Sequence, residues 1–156
     1  MRSADRESAR RQLDKRLNTL RYSDALTRPP RGWIKAIREA LGMTTAQLAQ
    51  RIGVSQPRAV AIEKAEKDKS ITLESLERAA RALNCRVAYT LIPRKPLNEL
   101  VEERAQIVAK KHLRSTKHSM ALEAQSVDKA DEKEQLKLLS ELLTRKAGSE
   151  LWQDNA

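Results

Sequence analysis

Phenylalanine is absent from this chain of 156 residues, and two tryptophans and two tyrosines are its only aromatic side chains. A core must then be built mostly from Leu, Ile, Val and Ala, a set that favours helices over a sheet-rich fold. Cys85 is the single cysteine, so no disulfide can form within the chain, and together with two histidines it shows no zinc-ligand spacing. No apolar run approaches the length of a bilayer span, which speaks against a membrane partner. The N-terminus is charged from Arg2 onward and lacks the apolar stretch of a secretory signal, so a cytoplasmic location is expected. No metal, cofactor or catalytic constellation is legible. His112 and His118 have no nucleophile pattern near them, and Ser119 beside His118 does not make a Ser–His pair, whose members come from separate elements. The chain is not expected to be an enzyme.

What is abundant is positive charge. The formal net charge is +10. Residues 1–31 carry +5, 32–83 carry +3 and 84–119 carry +5, while 120–156 carry −3. A polyanion such as nucleic acid is the natural partner for the basic part. An ordinary solvated surface is the alternative, and charge alone does not choose between them.

Residues 44–64, TTAQLAQRIGVSQPRAVAIEK, are the stretch around which the chain is organised. Leu48, Ala49 and Ile52 recur at helical spacing. Thr44 or Thr45 can cap that helix with a hydroxyl, and Gly53 can end it by turning left-handed. Ser55 caps a second helix, and Pro57 fits its first turn because the missing N–H would lack a helical partner there. Two short helices joined by such a turn make a helix-turn-helix. On the second helix Gln56, Pro57, Arg58, Val60, Ala61 and Lys64 fall outward, while Ala59 and Ile62 fall toward a core. Gln56 can offer its amide to adenine, and Arg58 can reach a guanine edge or a phosphate. Val60 and Ala61 can touch only apolar features such as a thymine methyl. Thr44, Thr45 and Lys64 are phosphate candidates.

The rest of the chain follows in order. Residues 1–31 read as a basic helical arm with a thin stripe of Leu13, Leu17 and Leu20. Its arginines can reach phosphate, or the arm can dock on its own domain, and the two readings weigh equally. TRPPRG at 27–32 breaks the helix, and the DNA-binding domain is placed at 32–84. Trp33, Ile34, Ile37 and Leu41 predict a helix ended at Gly42, with Trp33 as a core anchor. KAEKDKS after the second helix predicts a loop. Leu73, Leu76, Ala79, Ala80 and Leu83 predict a further helix with Asn84 as its cap. In 85–93, Val87, Tyr89 and Leu91 alternate with Ala88, Thr90 and Ile92, which predicts one strand ended by Pro93. A lone strand has unpaired edges, so pairing with a second copy is expected, with a buried linker as the alternative. Residues 94–156 predict a C-terminal helical region. One amphipathic helix runs from Pro96 to about His112, the stretch to Val127 is less regular, and a final helix carries Leu136, Leu139, Leu142 and Leu143. The fold class expected is therefore mainly α: a helix-turn-helix domain of five helices, one dimerisation strand and C-terminal helices.

Ala49, Gly53, Val54, Ser55, Gln56, Pro57, Ile62 and Glu63 resemble the pattern of phage-repressor-like helix-turn-helix regulators, with Ala59 departing where that family usually has a larger aliphatic residue. The resemblance implies a partly buried Arg38–Glu63 ion pair and, as in several members, a dimer sheet made by a strand after the last helix. The flanks add a second likeness. The arginine-rich start, RPPRGWIKAIREALGMT, CRVAYTLIPRKPLNELVEERA and the terminal LW together resemble the bacterial "mobile mystery protein A" family over nearly the whole chain. Members of that family are typically encoded beside a Fic-domain protein. The resemblance implies a repressor of its own operon, acting on double-stranded DNA as a homodimer, that is antitoxin to a Fic-type toxin and nucleoid-associated when bound. The competing reading is a protein-interaction module that neutralises the toxin directly, with DNA binding secondary.

Overall fold

Gly32, Gly53 and the other chain breaks partition the apolar stripes into short helices. A computed structural model, which describes residues 2–121 and 128–153, contains seven α-helices among those residues. They are α1 (Ser3–Asn18), α2 (Trp33–Ala40), α3 (Thr45–Ile52), α4 (Gln56–Lys67), α5 (Leu73–Ala82), α6 (Leu97–Ala121) and α7 (Lys129–Lys146). The parts of the expected arm and C-terminal region at residues 1, 122–127 and 154–156 lie outside the described residues. The chain divides into a mid-chain unit, Ser23–Leu91, and a terminal unit formed by both chain ends, Met1–Tyr22 with Ile92–Ala156.

The mid-chain unit closes over Ile34, Leu48, Ile62, Ala79 and Leu83, with Ile37, Met43, Ile52, Ile71 and Leu76 packed around them. Ala59 is fully buried, so the small residue sits inside the core. Trp33 and Leu41 depart from the expected stripe, being 43% and 59% exposed. The buried line of α2 runs through Ile34 and Arg38 instead, and Leu41 falls on the residue that caps the helix. Trp33 lines an apolar cleft of about 300 Å³ with Ile37, Leu76 and Val87. Leu73, at the start of α5, is also exposed. Asn84 closes α5 with a φ of +55°, while the Cys85 N–H donates back to the Ala80 carbonyl at 2.8 Å.

The helix-turn-helix domain, expected with five helices, has four in residues 32–84, α2 to α5. Two other expectations are corrected. The polar KAEKDKS run does not begin a loop at Lys64, because α4 continues to Lys67. Glu66 lies one helical step beyond Ile62 and Glu63 on the same face, and it is 4% exposed. Its carboxylate accepts from the Trp33 N–H at 2.7 Å and the Ile34 N–H at 2.9 Å, capping the start of α2. Gly32 permits this approach. Its φ is +88°, and a Cβ there would lie 2.7 Å from Glu66 Oε2. Arg28, from the TRPPRG break, donates to the Glu66 and Lys67 carbonyls and so caps the end of α4.

The second correction concerns 85–93. No strand forms there or elsewhere among the described residues, so Val87, Tyr89 and Leu91 do not make the expected dimer strand. Val87 is half-buried, whereas Tyr89 is 77% and Leu91 85% exposed. A strand exists only as part of a ladder, and the described residues of this chain supply no second extended segment to complete one.

In the terminal unit α6 packs on α7, and α1 packs on both. Val101, Ala105, Ala147 and Leu151 form its buried centre, with Val108 and Leu143 against them. Asp14 of α1 is 8% exposed and accepts from the Leu97 N–H at 2.6 Å and the Asn98 N–H at 3.2 Å. It therefore caps α6 from another helix. Arg10 Nε donates to Asn98 Oδ1 at 2.9 Å, and Arg6 donates to the Lys146 carbonyl at 2.8 Å. The arm thus docks within its own unit and commits these arginines to internal acceptors.

Gly32→Ala should destabilise the mid-chain unit by about 1–3 kcal/mol, through the forbidden backbone region and the displaced carboxylate. Asp14→Ala should loosen α1 from α6 at a cost on the order of 1 kcal/mol. Urea titrations followed by helical circular dichroism check both; an unshifted midpoint for either variant refutes that cap.

Candidate nucleic-acid interface

The capping chemistry of α3 and α4 sets the geometry of the surface. Thr44 caps α3: its hydroxyl accepts from the Gln47 N–H at 3.2 Å, and Gln47 Oε1 accepts from the Thr44 N–H at 2.9 Å. The Thr44 N–H is therefore already used, which leaves its hydroxyl proton for an outside acceptor. The N–H groups of Thr45 and Ala46, in the first turn, have no intrahelical acceptor. Gly53 ends α3 with a φ of +80°, and the Val54 N–H returns to the Ala49 carbonyl at 3.0 Å. Ser55 then caps α4, accepting from the Arg58 N–H at 3.4 Å, with Pro57 in the first turn.

Along α4 the two faces separate cleanly. Ala59, Ile62, Glu63 and Glu66 are buried. Gln56, Pro57, Arg58, Val60, Ala61 and Lys64 are exposed, as are Ser55 and Thr44, and Thr45 is half-exposed. Spacings of three and four residues place the buried set on one stripe. The exposed set forms the other side of the same helix. It presents an amide, two cations and a small apolar patch, which suits a groove floor flanked by phosphates.

Arg38 and Glu63 meet between α2 and α4. Arg38 Nε donates to Glu63 Oε1 at 2.5 Å and a second guanidinium nitrogen donates to Oε2 at 3.2 Å. A further nitrogen donates to the Met43 carbonyl at 2.9 Å. The hydrogen bond that Arg38 donates to the Glu63 carboxylate raises the Arg38 pKa above its ordinary value, against the lowering effect of burial. A raised cation contributes its stability below the ordinary pKa and loses it only as pH climbs through the raised one. The titration of Arg38 itself therefore removes none of this contribution until the pH climbs past the ordinary arginine range.

Residues not singled out in the sequence also matter. Glu66 escaped because a polar run reads as a loop, although its register with Ala59, Ile62 and Glu63 was a usable signal. Arg51, Arg78 and Arg81 line a shallow cleft at the ends of α3 and α5 and add positive potential to this unit. Arg78 and Arg81 stand three residues apart on α5, but no spacing rule joins them to Arg51 of α3.

A family model described as helix-turn-helix matches residues 34–89, which lie wholly within the mid-chain unit. Residues 34–89 are a helix-turn-helix domain. No curated protein and no solved structure matches the chain. In this helix-turn-helix domain α3 and α4 are the paired helices, and the outer face of α4 is exposed at its N-terminal end. The domain supports the reading of a DNA-binding regulator. Among the described residues, no helix is long and apolar enough to cross a membrane, and no cluster of His, Cys, Asp or Glu could hold a metal ion.

Removing one partner of the Arg38–Glu63 pair leaves a buried charge uncompensated. Arg38→Ala should cost about 3–5 kcal/mol, and far less in a chain that also carries Glu63→Leu. A double-mutant cycle by thermal melting checks this; additive losses would show that the two side chains do not act as a pair.

Proposed function

We propose that this protein is a sequence-specific DNA-binding transcriptional regulator that represses its own operon, acting in the cytoplasm on double-stranded DNA. The observation that carries the proposal is the exposed outer face of α4, from Gln56 to Lys64, within a matched helix-turn-helix domain. In such domains the start of the second helix reads base edges in the major groove while its neighbours hold phosphates. Gln56 is assigned a two-point contact with adenine, and Arg58 a guanine edge or a phosphate. Val60 and Ala61 are assigned apolar contact. Thr44 and Thr45 are assigned phosphate contacts at the start of α3, and Lys64 a more distant one.

Binding as a homodimer fits this role, because two copies read half-sites about 34 Å apart. Exposed Tyr89 and Leu91 offer apolar surface for such an assembly, without requiring a strand. The finer role, antitoxin to a Fic-domain toxin, rests on the resemblance of the flanking segments alone. Direct toxin neutralisation with DNA binding secondary is the second reading. It is favoured by a terminal unit that is built separately from the helix-turn-helix domain.

Gln56→Ala should weaken binding by about 1–3 kcal/mol at one base position and relax specificity there. Lys64→Ala should weaken all sequences alike and flatten the salt dependence. Fluorescence anisotropy on the chain's own promoter at fixed salt tests both, and binding unchanged in both variants rejects α4 as the reading helix. Light scattering on the same samples should report twice the chain mass, and a strict monomer at tens of micromolar rejects the homodimer.

A further inference from the structure

The terminal unit holds a charged seam that DNA reading by α4 does not use. In α6, Lys110 and Arg114 are one helical turn apart, and in α7 Lys129, Lys133 and Lys137 repeat at the same interval. The helices bring the two rows to opposite sides of a cleft of about 340 Å³, and a neighbouring cleft of about 640 Å³ shares Lys110, Lys133 and Leu136 with it. Leu113 and Leu136, both half-buried, form the apolar floor. Glu132 and Glu134 are the carboxylates among the described lining residues, and Glu132 is already paired with Lys117.

We infer that this seam docks an acidic amphipathic helix of a partner protein, apolar stripe down and carboxylates out toward the two basic rows. Charge complementarity carries the choice of partner. A phosphodiester strand would satisfy the cations but has nothing to set against a leucine floor, and no aromatic side chain is among the described residues lining the cleft to stack a base. A bilayer needs a convex apolar face, whereas this one is a trough between two helices. The seam from Gln106 to Lys117 spans about 16 Å at the rise of an α-helix, so it accommodates about three turns of a docked helix. The inference goes beyond the DNA-binding role and does not depend on it.

The test uses the full chain and a fluorescein-labelled synthetic four-turn peptide with leucines at i, i+3, i+4 and i+7 and glutamates elsewhere. Three probes accompany it: the same peptide with lysines for glutamates, polyglutamate, and a random-sequence DNA duplex. The acidic amphipathic peptide should bind in the micromolar range, and polyglutamate and the lysine peptide much more weakly. Lys110→Glu combined with Lys133→Glu should weaken the peptide on the order of tenfold while leaving the duplex affinity within about twofold. Both positions are exposed, and an unchanged melting curve verifies the fold. If the pair disturbs folding, Lys129→Gln with Lys137→Gln makes the same measurement. The inference is overturned if wild type and variant bind the peptide equally, if polyglutamate binds as tightly as the peptide, or if charge reversal removes duplex binding instead.

Discussion

The helix-turn-helix domain depends on two carboxylates one turn apart on the inner face of α4. Glu63 holds the Arg38 guanidinium in a two-point contact, and Glu66 holds the first two N–H groups of α2. Both ties run from the C-terminal half of α4 to the same short helix. A helix of eight residues is too short to persist in water on its own, so α2 exists because α4 caps and pairs with it. In return the C-terminal half of α4 is immobilised. Its N-terminal half is then held to the core through the small Ala59 and presents Gln56, Arg58, Val60 and Ala61 outward. A reading helix needs this division, because base contacts are useful only on a support that does not shift when charge is neutralised on the other side.

The same device recurs in the terminal unit, where Asp14 caps α6 from α1 as Glu66 caps α2 from α4. It decides what the arginine-rich arm can do. With Arg6 and Arg10 committed to acceptors inside the unit, the arm is a structural strap, and its charge is partly spent on helix ends. Exposed positive charge in this unit also lies on α6 and on the first half of α7. That distribution is hidden in a segment sum: residues 120–156 total −3, yet three of their lysines share one side of α7 at intervals of four.

The turn and the helix starts of the helix-turn-helix were legible in the chain, although the end of α4 was not. Thr44, Gly53, Ser55 and Pro57 act through backbone geometry within a few residues of themselves, and such local chemistry does not need the rest of the fold. The separation of Ala59 and Ile62 from Gln56, Val60 and Lys64 likewise follows from the period of a helix. The Arg38–Glu63 contact came from resemblance rather than from any local rule, since the two residues are far apart in the chain.

What tertiary structure alone decided was pairing. The 85–93 segment has the alternation of a strand, but alternation states a preference and a ladder requires a neighbour, which the described residues do not offer. Trp33 has the size of a core anchor, yet α2 turns Ile34 and Arg38 inward because Glu66 fixes where that helix begins. Glu66 itself looks like part of a polar loop until Gly32 brings a backbone without a Cβ to its carboxylate. Each of these outcomes depends on which distant groups arrive to satisfy buried charges and N–H groups. The sequence by itself determined where helices start, stop and turn, because those rules act over one turn. The partners of buried charges and free edges were settled only by the folded chain, because they are chosen over long separations by burial and hydrogen-bond demand.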